Sequence, residues 1–344
     1  MDTTDTSAKA PAPVTAPAKW YVDPVYWPLE RMAVFAGHWQ FLTHESALPD
    51  ARDWYADMLA GYPVVVVRGD DGELRAFHNV CRHRAGPLTR TDSGTCDGYL
   101  TCQYHGWRYT LDGRLRAARD FGAASDFDPR DFSLFPVSLH IWRGLIFAGI
   151  GDNLPDLSAQ MAPLDTRLKD TDWSGLKVGL RRTHLLDCNW KTYVENYLEG
   201  YHVPSMHPSL DAEIISEAYT VTVDGHVVMH DAPPKSPEAV YDGLWGWVWP
   251  NIGINVYNRG LMIERMSPVG HKQTQLDYFY LTPDGEPVPD ATLAMSDQVT
   301  AEDKWIAEKV QQNLDAGVYA TGRLSPKHET AVAAFQQWVA VFIG

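Results

Sequence analysis

The sequence contains no long apolar run, and this absence argues against a membrane-spanning helix. A span needs about 20 consecutive, mostly apolar residues, whereas the richest run here, residues 139–150, contains Arg143 and two glycines. We therefore predict that this run is a buried strand. Residues 1–19 are mostly Thr, Ala and Pro, without the apolar block of a secretory signal or the arginines of a transit peptide. These features predict a cytoplasmic protein that has no membrane partner.

Basic residues are also scarce. The 29 Lys and Arg residues are outnumbered by 44 Asp and Glu residues, which gives a net charge of −15. Nucleic acids and anionic membranes are recognised through clusters of Lys and Arg, so neither is an expected partner. A basic protein partner is compatible with this charge, although most acidic residues of a protein are simply solvated.

Cysteine is the third scarce residue, with four in the whole sequence. In a chain without a secretory signal, disulfides are not expected. Cys81 and Cys102 stand close to histidines in the sequence, whereas Cys96 and Cys188 do not. We therefore predict that Cys96 and Cys188 are free thiols, which commonly pack as small apolar side chains.

Two different patterns of hydrophobic residues divide the chain near residue 150. The first part has short strand-like runs separated by turns of Gly, Pro and Asp, at residues 39–42, 53–59, 63–68, 74–79, 99–103, 107–110 and 139–147. The second part has strand patterns between 219 and 281 and helical periodicity at residues 189–201, 300–314 and 335–342. Thr300 is the predicted N-cap of the second of these helices. The predicted fold class is α+β, with a small antiparallel β domain first.

Two pairs of cysteine and histidine stand at ligand spacing: Cys81 with His83, and Cys102 with His105. Each pair follows a predicted strand, so two loops can hold one metal centre between them. Two thiolates and two imidazoles suit either a zinc ion or a Rieske [2Fe–2S] cluster, in which two histidines replace two cysteines on one iron. Alternation of Cys and His at strand ends, followed by Trp107, favours the cluster, because an apolar shell tunes a redox centre.

The segments around these four residues resemble the Rieske loops of the Rieske non-haem iron oxygenases, in their terminal oxygenase (alpha) component. The resemblance rests on C-R-H-R-A-G-P-L at 81–88 and C-Q-Y-H-G-W at 102–107. The 18 residues between the two pairs slightly exceed the usual family spacing, and we attribute the difference to an insertion at 92–97.

The resemblance also implies a domain organisation. A Rieske domain at residues 38–150 would precede a catalytic domain of the helix-grip type, an antiparallel sheet with long helices, at 151–344. An N-terminal helix at 19–37 would pack on the catalytic domain, and residues 1–18 would form a disordered tail.

A second candidate metal site follows the predicted helix at 189–201. His202 and His207 are five residues apart on either side of Pro204. We expect His202 at the end of this helix and His207 on the loop after it, so that both imidazoles reach one metal. With a carboxylate they would form the 2-His-1-carboxylate triad of non-haem Fe(II) oxygenases. The alternative is a pair of ordinary histidines without a ligand role.

The segment N-W-K…E-N-Y…E-x-x-H-x4-H at 189–207 resembles the mononuclear iron segment of the same family. The resemblance implies Asp303 as the third ligand, early in a helix, with Glu302 as its competitor. An acidic pair in a first helical turn is otherwise often a cap that favours the helix dipole. Glu199 occupies a position that is Asp in many family members, where it is implied to bridge the iron histidine to a cluster histidine of the neighbouring subunit. Asn196 shares the same polar face and is expected to support the site.

Aromatic residues suggest a substrate pocket. Trp245, Trp247 and Trp249 alternate along one predicted strand and therefore face the same way, and Tyr257 lies on the next strand. Such a wall can hold a flat ring, or a quaternary ammonium by cation–π attraction. Ordinary packing against a long helix is the alternative. Glu264 is a candidate counter-charge for a cation.

The family resemblance implies an activity. Electrons from NAD(P)H would arrive through a separate reductase, with or without a ferredoxin, because the chain has no flavin or dinucleotide motif. The cluster would pass them to Fe(II), which activates O2 to hydroxylate an organic substrate. The frequency of substrates within the family favours an aromatic ring compound. The short chain and Glu199 favour the alternative, a monooxygenase of a quaternary or N-methylated amine.

The resemblance further implies a homotrimer, in which the cluster of one subunit serves the iron of the next. A Rieske ferredoxin-type electron carrier is the competing hypothesis from another functional class. Such a carrier would need only one small domain of about 100 to 120 residues, which leaves the second half of the chain unexplained.

Overall fold

A computed structural model describes residues 11–344. Two seven-stranded antiparallel sheets and one three-stranded sheet organise these residues, and the predicted α+β class is confirmed. Within the described part of the chain, none of the helices has the length and apolar character required to cross a membrane.

The first seven-stranded sheet has the strand order β1-β10-β9-β4-β3-β2-β5, and the three-stranded sheet β6-β7-β8 carries part of the cysteine and histidine loops. The strands of these two sheets are β1 (Trp39–His44), β2 (Asp53–Leu59), β3 (Tyr62–Arg68), β4 (Leu74–His78), β5 (Ser93–Thr95), β6 (Leu100–Thr101), β7 (Arg108–Tyr109), β8 (Leu115–Ala117), β9 (Pro136–Trp142) and β10 (Leu145–Gly149). The short strands β5 and β8 were not expected from the sequence.

The apolar run at 139–150 is a hairpin rather than one strand. It contains most of β9 and all of β10, which pair from Leu145 opposite Trp142. Arg143 and Gly144 form the two-residue turn, with φ values of 50° and 81°. Positive φ at both positions is the signature of the tight turn that joins adjacent antiparallel strands. The residues that interrupt the apolar run therefore mark a reversal of the chain.

The second seven-stranded sheet has the order β11-β17-β16-β15-β14-β13-β12. Its strands are β11 (Leu176–Leu186), β12 (Thr220–Asp224), β13 (Val227–Asp231), β14 (Tyr241–Val248), β15 (Ile252–Tyr257), β16 (Gly260–Gly270) and β17 (Gln273–Pro283). The helices of the described chain are α1 (Lys19–Val22), α2 (Tyr26–Glu30), α3 (Leu157–Arg167), α4 (Trp190–Tyr197), α5 (Val203–Met206), α6 (Pro208–Glu213), α7 (Asp290–Asp315) and α8 (Thr330–Ile343).

The predicted helices at 189–201 and 300–314 require correction. Helix α4 is capped by the Asn189 side chain and ends at Tyr197, so His202 does not close it. Instead, His202 is the N-cap of the short helix α5, and Pro204 lies in the first turn of α5, where a proline costs no hydrogen bond. Helix α7 begins at Asp290, ten residues before the predicted N-cap Thr300, and places Asp303 in mid-helix.

The N-terminal residues of the described chain pack against the second domain. Val14 forms an isolated bridge with Arg323, and the Ala16 amide donates to Gln336 Oε1 at 2.7 Å. The chain is therefore ordered over part of the segment 1–18 that the sequence predicted as a disordered tail; residues 1–10 lie outside the described range. Burial of Ala16 explains the order, because its side chain is 7% exposed.

The segment predicted as one helix at 19–37 consists of α1, α2 and a five-residue π-helix (Arg31–Phe35). Its Glu30 is buried and forms an ion pair with the buried Lys191 of α4. Glu30 also accepts a hydrogen bond from Trp190 Nε1 at 2.7 Å. These contacts fix the start of α4, the helix that leads into the predicted iron site.

A hydrophobic core joins the first sheet to the second. Phe41 of β1 packs edge-on against Phe147 of β10 and Phe279 of β17, with ring centroids 6.1 and 5.0 Å away. Next to these rings, Arg265 of β16 donates to Asp57 of β2 and to Asp277 of β17, both at 2.7 Å. Arg265 and Asp277 are completely buried. The two domains are therefore held together by apolar packing and by a buried ionic cluster.

Candidate functional site

The two cysteine and histidine loops face each other at one end of the first domain. Cys81 and Cys102 are buried. The His83 ring stacks on Trp107 with centroids 4.8 Å apart, and it lies edge-on to the His105 ring at 4.6 Å. The structure thus brings all four predicted ligands together, with the two histidines adjacent.

Backbone and hydroxyl groups fix the two cysteines. The Cys81 amide donates to Gly86 O at 2.9 Å, and the Cys102 amide donates to Trp107 O at 2.8 Å. Tyr109 Oη accepts from the Arg82 amide at 3.0 Å and lies 3.1 Å from Cys81 Sγ, so its proton is available to the sulfur. Sequence inspection did not identify Tyr109 as part of this site.

The glycine after the first pair is needed for the close approach of the loops. A Cβ atom at Gly86 would lie 3.1 Å from Cys102 Sγ and 2.9 Å from the Tyr104 Cβ. Any side chain would therefore push the two ligand loops apart.

The donor set fits a two-iron cluster better than zinc. His83 Nδ1 is buried and has no hydrogen-bond partner, as expected for a nitrogen that binds a metal. Among residues 11–344, the ligand atoms of His202, His207 and Asp303 are the one group of three or more that converges within 4.8 Å. The four loop ligands are therefore too widely spread for a single tetrahedral ion, whereas a cluster with cysteines on one iron and histidines on the other requires this spread.

The second predicted site converges on one point. His202 Nε2 and His207 Nε2 are 3.1 Å apart, and Asp303 Oδ1 lies 3.0 Å from His207 Nε2 and 3.9 Å from His202 Nε2. Helix α7 supplies the carboxylate, and the segment between α4 and α6 supplies both imidazoles. This arrangement can hold one metal ion from one side.

A carboxylate supports each imidazole from behind. His202 Nδ1 is 2.5 Å from Glu199 Oε1, and His207 Nδ1 is 2.6 Å from Glu302 Oε2. Such contacts keep the proton on Nδ1 and leave Nε2 free for a metal. Burial lowers the pKa of His207, but Asp303 and Glu302 raise it more, so the net shift is upward.

Asn196 forms a hydrogen bond with Asp303, the predicted third ligand. Its Nδ2 donates to Asp303 Oδ1 at 2.6 Å. The amide on α4 therefore orients the carboxylate on α7, which gives Asn196 a supporting position. Glu302, the sequence competitor of Asp303, points to His207 Nδ1 rather than to the converging Nε2 atoms.

A cavity of about 90 Å³ opens beside these three side chains. Trp245 lines it, but Trp247, Trp249 and Tyr257 do not, contrary to the sequence prediction. Trp245 and Trp247 belong to β14 and Trp249 directly follows it. This row is longer than the cavity, so the later two tryptophans meet helix α8 instead. Trp247 stacks on Trp338 of α8 with centroids 6.2 Å apart. Tyr257 stacks on Tyr241, which does line the cavity.

The cavity wall is aromatic, and none of its lining residues within 11–344 is Lys or Arg. The aromatic residues that line it are Tyr193, Tyr197, Tyr219, Tyr241, Trp245 and Tyr278. Within this wall, Glu264 is 3% exposed and accepts from Tyr193 Oη at 2.7 Å. Burial raises the pKa of Glu264 to about 8.

His230 is a functional candidate that the sequence did not indicate. It lies in the cavity wall with Nδ1 2.9 Å from Tyr219 Oη, and its buried Nε2 has no partner. Burial lowers the pKa of His230 to about 3, so its ring is neutral. A lone histidine in a strand gives no sequence signal. The sequence did indicate Glu264, because the charged pair Glu264-Arg265 interrupts an otherwise apolar strand.

Comparison with protein families divides the chain in the same way as the fold. Residues 38–128 match the Rieske [2Fe-2S] domain, and residues 173–344 match the catalytic domain of the ring hydroxylating alpha subunit. The chain belongs to the Rieske ring-hydroxylating oxygenases. This oxygenase is 30% identical to the chloroplastic choline monooxygenase of Arabidopsis thaliana, over 90% of this chain and 78% of the relative. It is 31% identical to the carnitine monooxygenase oxygenase subunit of Escherichia coli (strain K12), over 90% of this chain and 87% of the relative.

Solved structures agree with this assignment. The quaternary ammonium Rieske monooxygenase CntA in complex with L-carnitine superposes with a TM-score of 0.86 at 26% identity, over 97% of this chain and 96% of that one. The naphthalene 1,2-dioxygenase of Rhodococcus sp. superposes with a TM-score of 0.77 at 21% identity, over 96% and 94%. The second likeness concerns the fold alone.

Family membership fixes the class of enzyme. The protein is an oxidoreductase, the terminal oxygenase component of a system that needs an electron-transfer partner. It uses a Rieske [2Fe–2S] cluster, a mononuclear iron and O2. The catalytic domain excludes the alternative of a ferredoxin-type carrier.

Proposed function

We propose that this oxygenase hydroxylates a small quaternary or N-methylated amine, with demethylation or C–N cleavage as the outcome. The observation that carries the proposal is the buried side chain of Glu264 in an aromatic cavity whose described lining contains no Lys or Arg. Of the two substrate classes that the sequence left open, this cavity favours the amine over the aromatic ring compound.

The cavity offers a cation two kinds of attraction. Tyr197 Oη donates to Asn255 Oδ1 at 3.1 Å and lies 3.2 Å from Gly246 O, and these contacts fix its ring in the wall beside Trp245. Fixed aromatic faces attract a quaternary ammonium by about 0.5 to 2 kcal/mol each. Glu264 adds a counter-charge, because a cation in the cavity favours its ionised form.

The same features disfavour an aromatic acid. No Lys or Arg among the described lining residues can pair with the carboxylate of an aromatic acid, and such an acid has no cationic group that Glu264 could bind. The named activities of the choline and carnitine monooxygenases support the same substrate class.

The residue assignment forms part of this proposal. Cys81, His83, Cys102 and His105 would hold the Rieske cluster. The triad of His202, His207 and Asp303 would hold the mononuclear iron, which would supply O2 activation. Around that triad, Glu199 and Glu302 set the histidine tautomers, Asn196 orients Asp303, and the aromatic wall positions an N-methyl group and excludes water.

Hydroxylation of a carbon next to nitrogen explains the product. The new hydroxyl group gives up its proton as its oxygen forms a C=O bond. The C–N bond then breaks, the carbon leaves as an aldehyde, and the nitrogen keeps the electron pair and leaves as the smaller amine. Electrons from NAD(P)H reach the oxygenase through a separate reductase, with or without a ferredoxin. We further propose a cytoplasmic homotrimer in which Glu199 links His202 to a cluster histidine of the neighbouring subunit.

Substrate oxidation by the Glu264→Gln variant tests the proposal. Purified enzyme with a surrogate reductase is given choline, carnitine, trimethylamine and simple aromatic acids, and products are read by mass spectrometry. We expect amine oxidation by the wild type and a KM at least about tenfold higher in the variant, since about 1.4 kcal/mol of cation binding corresponds to tenfold. The control Glu217→Gln changes an exposed carboxylate outside the cavity. Hydroxylated aromatic products with unchanged amines would refute the proposal.

A further inference from the structure

The segment that carries the two cluster loops differs in charge from the rest of the chain. Residues 82–119 contain seven Arg and three Asp but no Lys or Glu, whereas the whole chain has a net charge of −15. Arg114, Arg116 and Arg119, on strand β8 and just after it, are exposed. Arg114 and Arg119 pair with aspartates at most two residues away, and Arg116 has no ion pair within the described chain. This surface can therefore attract an acidic partner, although the molecule as a whole is acidic.

Aromatic side chains cover the cluster histidine His83 and continue to the surface. The Trp107 ring that stacks on His83 is 2% exposed, and the rings of Phe121, Phe127 and Phe132 lie around it at 5.7, 5.8 and 6.1 Å. Phe121 stacks on Phe127 with centroids 4.0 Å apart, yet it is 40% exposed. One ring, that of Trp107, therefore lies between a solvent-exposed ring and a cluster ligand.

The row of rings ends at a second exposed aromatic residue. The Arg82 guanidinium lies over the rings of Phe132 and Phe135 at 5.7 and 4.4 Å, and Phe135 is 44% exposed. Protein interfaces are enriched in aromatic residues and Arg and depleted in Lys and Glu, as this surface is. We call its exposed side chains the cluster rim: Arg116, Arg119, Phe121 and Phe135.

The other cluster histidine has different neighbours. His105 lies 3.8 Å from the ring of Tyr104, and the Arg84 guanidinium lies over that ring at 5.0 Å. An electron-transfer cluster needs one contact that delivers an electron and another that passes it on. The proposed contact with the neighbouring subunit can use the His105 side, which leaves the cluster rim on the His83 side for the electron donor.

We propose that the cluster rim is the docking surface for an acidic electron-transfer domain of the plant-type ferredoxin class. The proposal rests on the need of this oxygenase for an electron-transfer partner and does not depend on its substrate. One electron leaves the reduced ferredoxin, which is oxidised, and enters the Rieske cluster, which is reduced, and no bond forms or breaks. Plant-type ferredoxins have lower reduction potentials than Rieske centres, so this transfer is downhill.

The rate of cluster reduction by a ferredoxin tests the proposal. The oxidised holoenzyme is mixed anaerobically, without substrate, with a reduced acidic plant-type ferredoxin, and rapid freeze-quench EPR gives the rate constant for reduction of the Rieske cluster. This rate constant is divided by the one for dithionite, a small reductant that needs no docking surface. We expect the wild-type ratio to fall as KCl is added, because salt screens the attraction between the two proteins.

Two rim variants separate charge from contact. At low salt, Arg116→Glu/Arg119→Glu should lower the ratio at least about tenfold, because it removes electrostatic steering. Phe121→Ala should lower it at least about fivefold and retain the salt dependence. The matched control Lys169→Glu/Lys177→Glu reverses two charges on exposed residues of the catalytic domain and should keep the wild-type ratio.

The remaining outcomes count against the rim. An unchanged ratio in both rim variants, or a wild-type ratio that is independent of salt, overturns the proposal. A rim variant that elutes from a size-exclusion column as a smaller species than the wild type also overturns it, because the rim would then join two copies of this chain. No substrate is present in these measurements, so a failure to oxidise amines would refute the proposed function and leave the docking result unchanged.

Discussion

The two histidines that converge on Asp303 are oriented from behind by carboxylates on different elements. Glu199 follows α4 and contacts His202 Nδ1, and Glu302 belongs to α7 and contacts His207 Nδ1. Each imidazole thus presents Nε2 to the common point. Carboxylate–histidine pairs of this kind contribute to metal affinity although they do not touch the metal.

Removal of the charge of Glu302 should weaken iron binding. We expect Glu302→Gln to lower the Fe(II) affinity of the iron-free enzyme about 10- to 100-fold, the usual effect of losing such a support. Fluorescence-monitored titration with Fe(II) under anaerobic conditions measures it. Glu308→Gln, one helical turn and a half further along α7, is the matched control. Equal affinities in both variants would show that Glu302 does not orient His207.

The two metal sites should fail separately. We expect His202→Ala to keep the visible spectrum of the cluster and to abolish oxygenation, because it removes one ligand of the proposed iron triad only. Cys81→Ser should remove the rhombic EPR signal of the reduced protein. Sustained turnover by His202→Ala would contradict the iron assignment.

At the scale of elements, the buried ionic cluster decides how the two sheets meet. Asp57 of β2 is 11% exposed, and it pairs with Arg265 and Arg181 of the second sheet at 2.7 and 2.9 Å. Asp277 completes the cluster from β17. Its neighbour Tyr278 lines the substrate cavity, and so does Glu264, the neighbour of Arg265. The cluster therefore fixes the strands that carry the cavity wall.

Loss of Asp57 should destabilise the protein strongly. We expect Asp57→Ala to lower the free energy of unfolding by about 3 to 5 kcal/mol, because it leaves the buried Arg265 without one of its partners. Denaturant titration followed by fluorescence measures the change. Asp70→Ala breaks the exposed pair with Arg52 and should cost about 0 to 1 kcal/mol. A similar small cost for both variants would show that the cluster does not support the domain contact.

Element boundaries were the least predictable feature, and the reason is local. Strand β11 was missed because the apolar alternation at Leu176, Val178 and Leu180 stops at the polar run 181–184, and most of its side chains are only partly buried or exposed. Helix α7 extends over 26 residues. Its true start at Asp290 has no stronger capping signal than Thr300, so the sequence did not show where the helix begins. Neighbouring elements, rather than local sequence, stabilise both segments.

At the scale of the molecule, acid should weaken the fold through Asp277. Burial alone would raise the pKa of Asp277, but Arg265 and Arg181 lower it well below its usual value of 3.8. A depressed pKa stabilises the folded state fully above about pH 4 and progressively less as pH falls toward the folded-state pKa. We expect the stability difference between wild type and Asp277→Asn to shrink below pH 4 in denaturant titrations. A difference independent of pH between 2 and 6 would contradict this.

The proposed trimer makes a distinct prediction for mixed assemblies. Co-expressed Cys81→Ser and His202→Ala subunits should regain part of the oxygenase activity that each variant lacks alone. In a mixed trimer, an intact cluster in one subunit can serve an intact iron site in its neighbour. Activity is measured as amine oxidation after tandem purification on two different tags. No regained activity in verified mixed trimers would indicate electron transfer within a single chain.

The sequence by itself determined the chemistry of this protein. The spacing of Cys81, His83, Cys102 and His105 predicted the Rieske cluster, and the family match confirms that domain. Ligand spacing is readable because short loops place neighbouring residues on one metal.

Only the tertiary structure decided the substrate cavity. It selected Trp245 from the three tryptophans, placed the predicted counter-charge Glu264 in the same wall, and added His230 from a separate strand. The physical reason is that a cavity remains where side chains from separate elements do not fill the space between them. Helix α8 packs against Trp247 and Trp249. The sequence of β14 alone does not show which of its residues α8 contacts and which face the cavity.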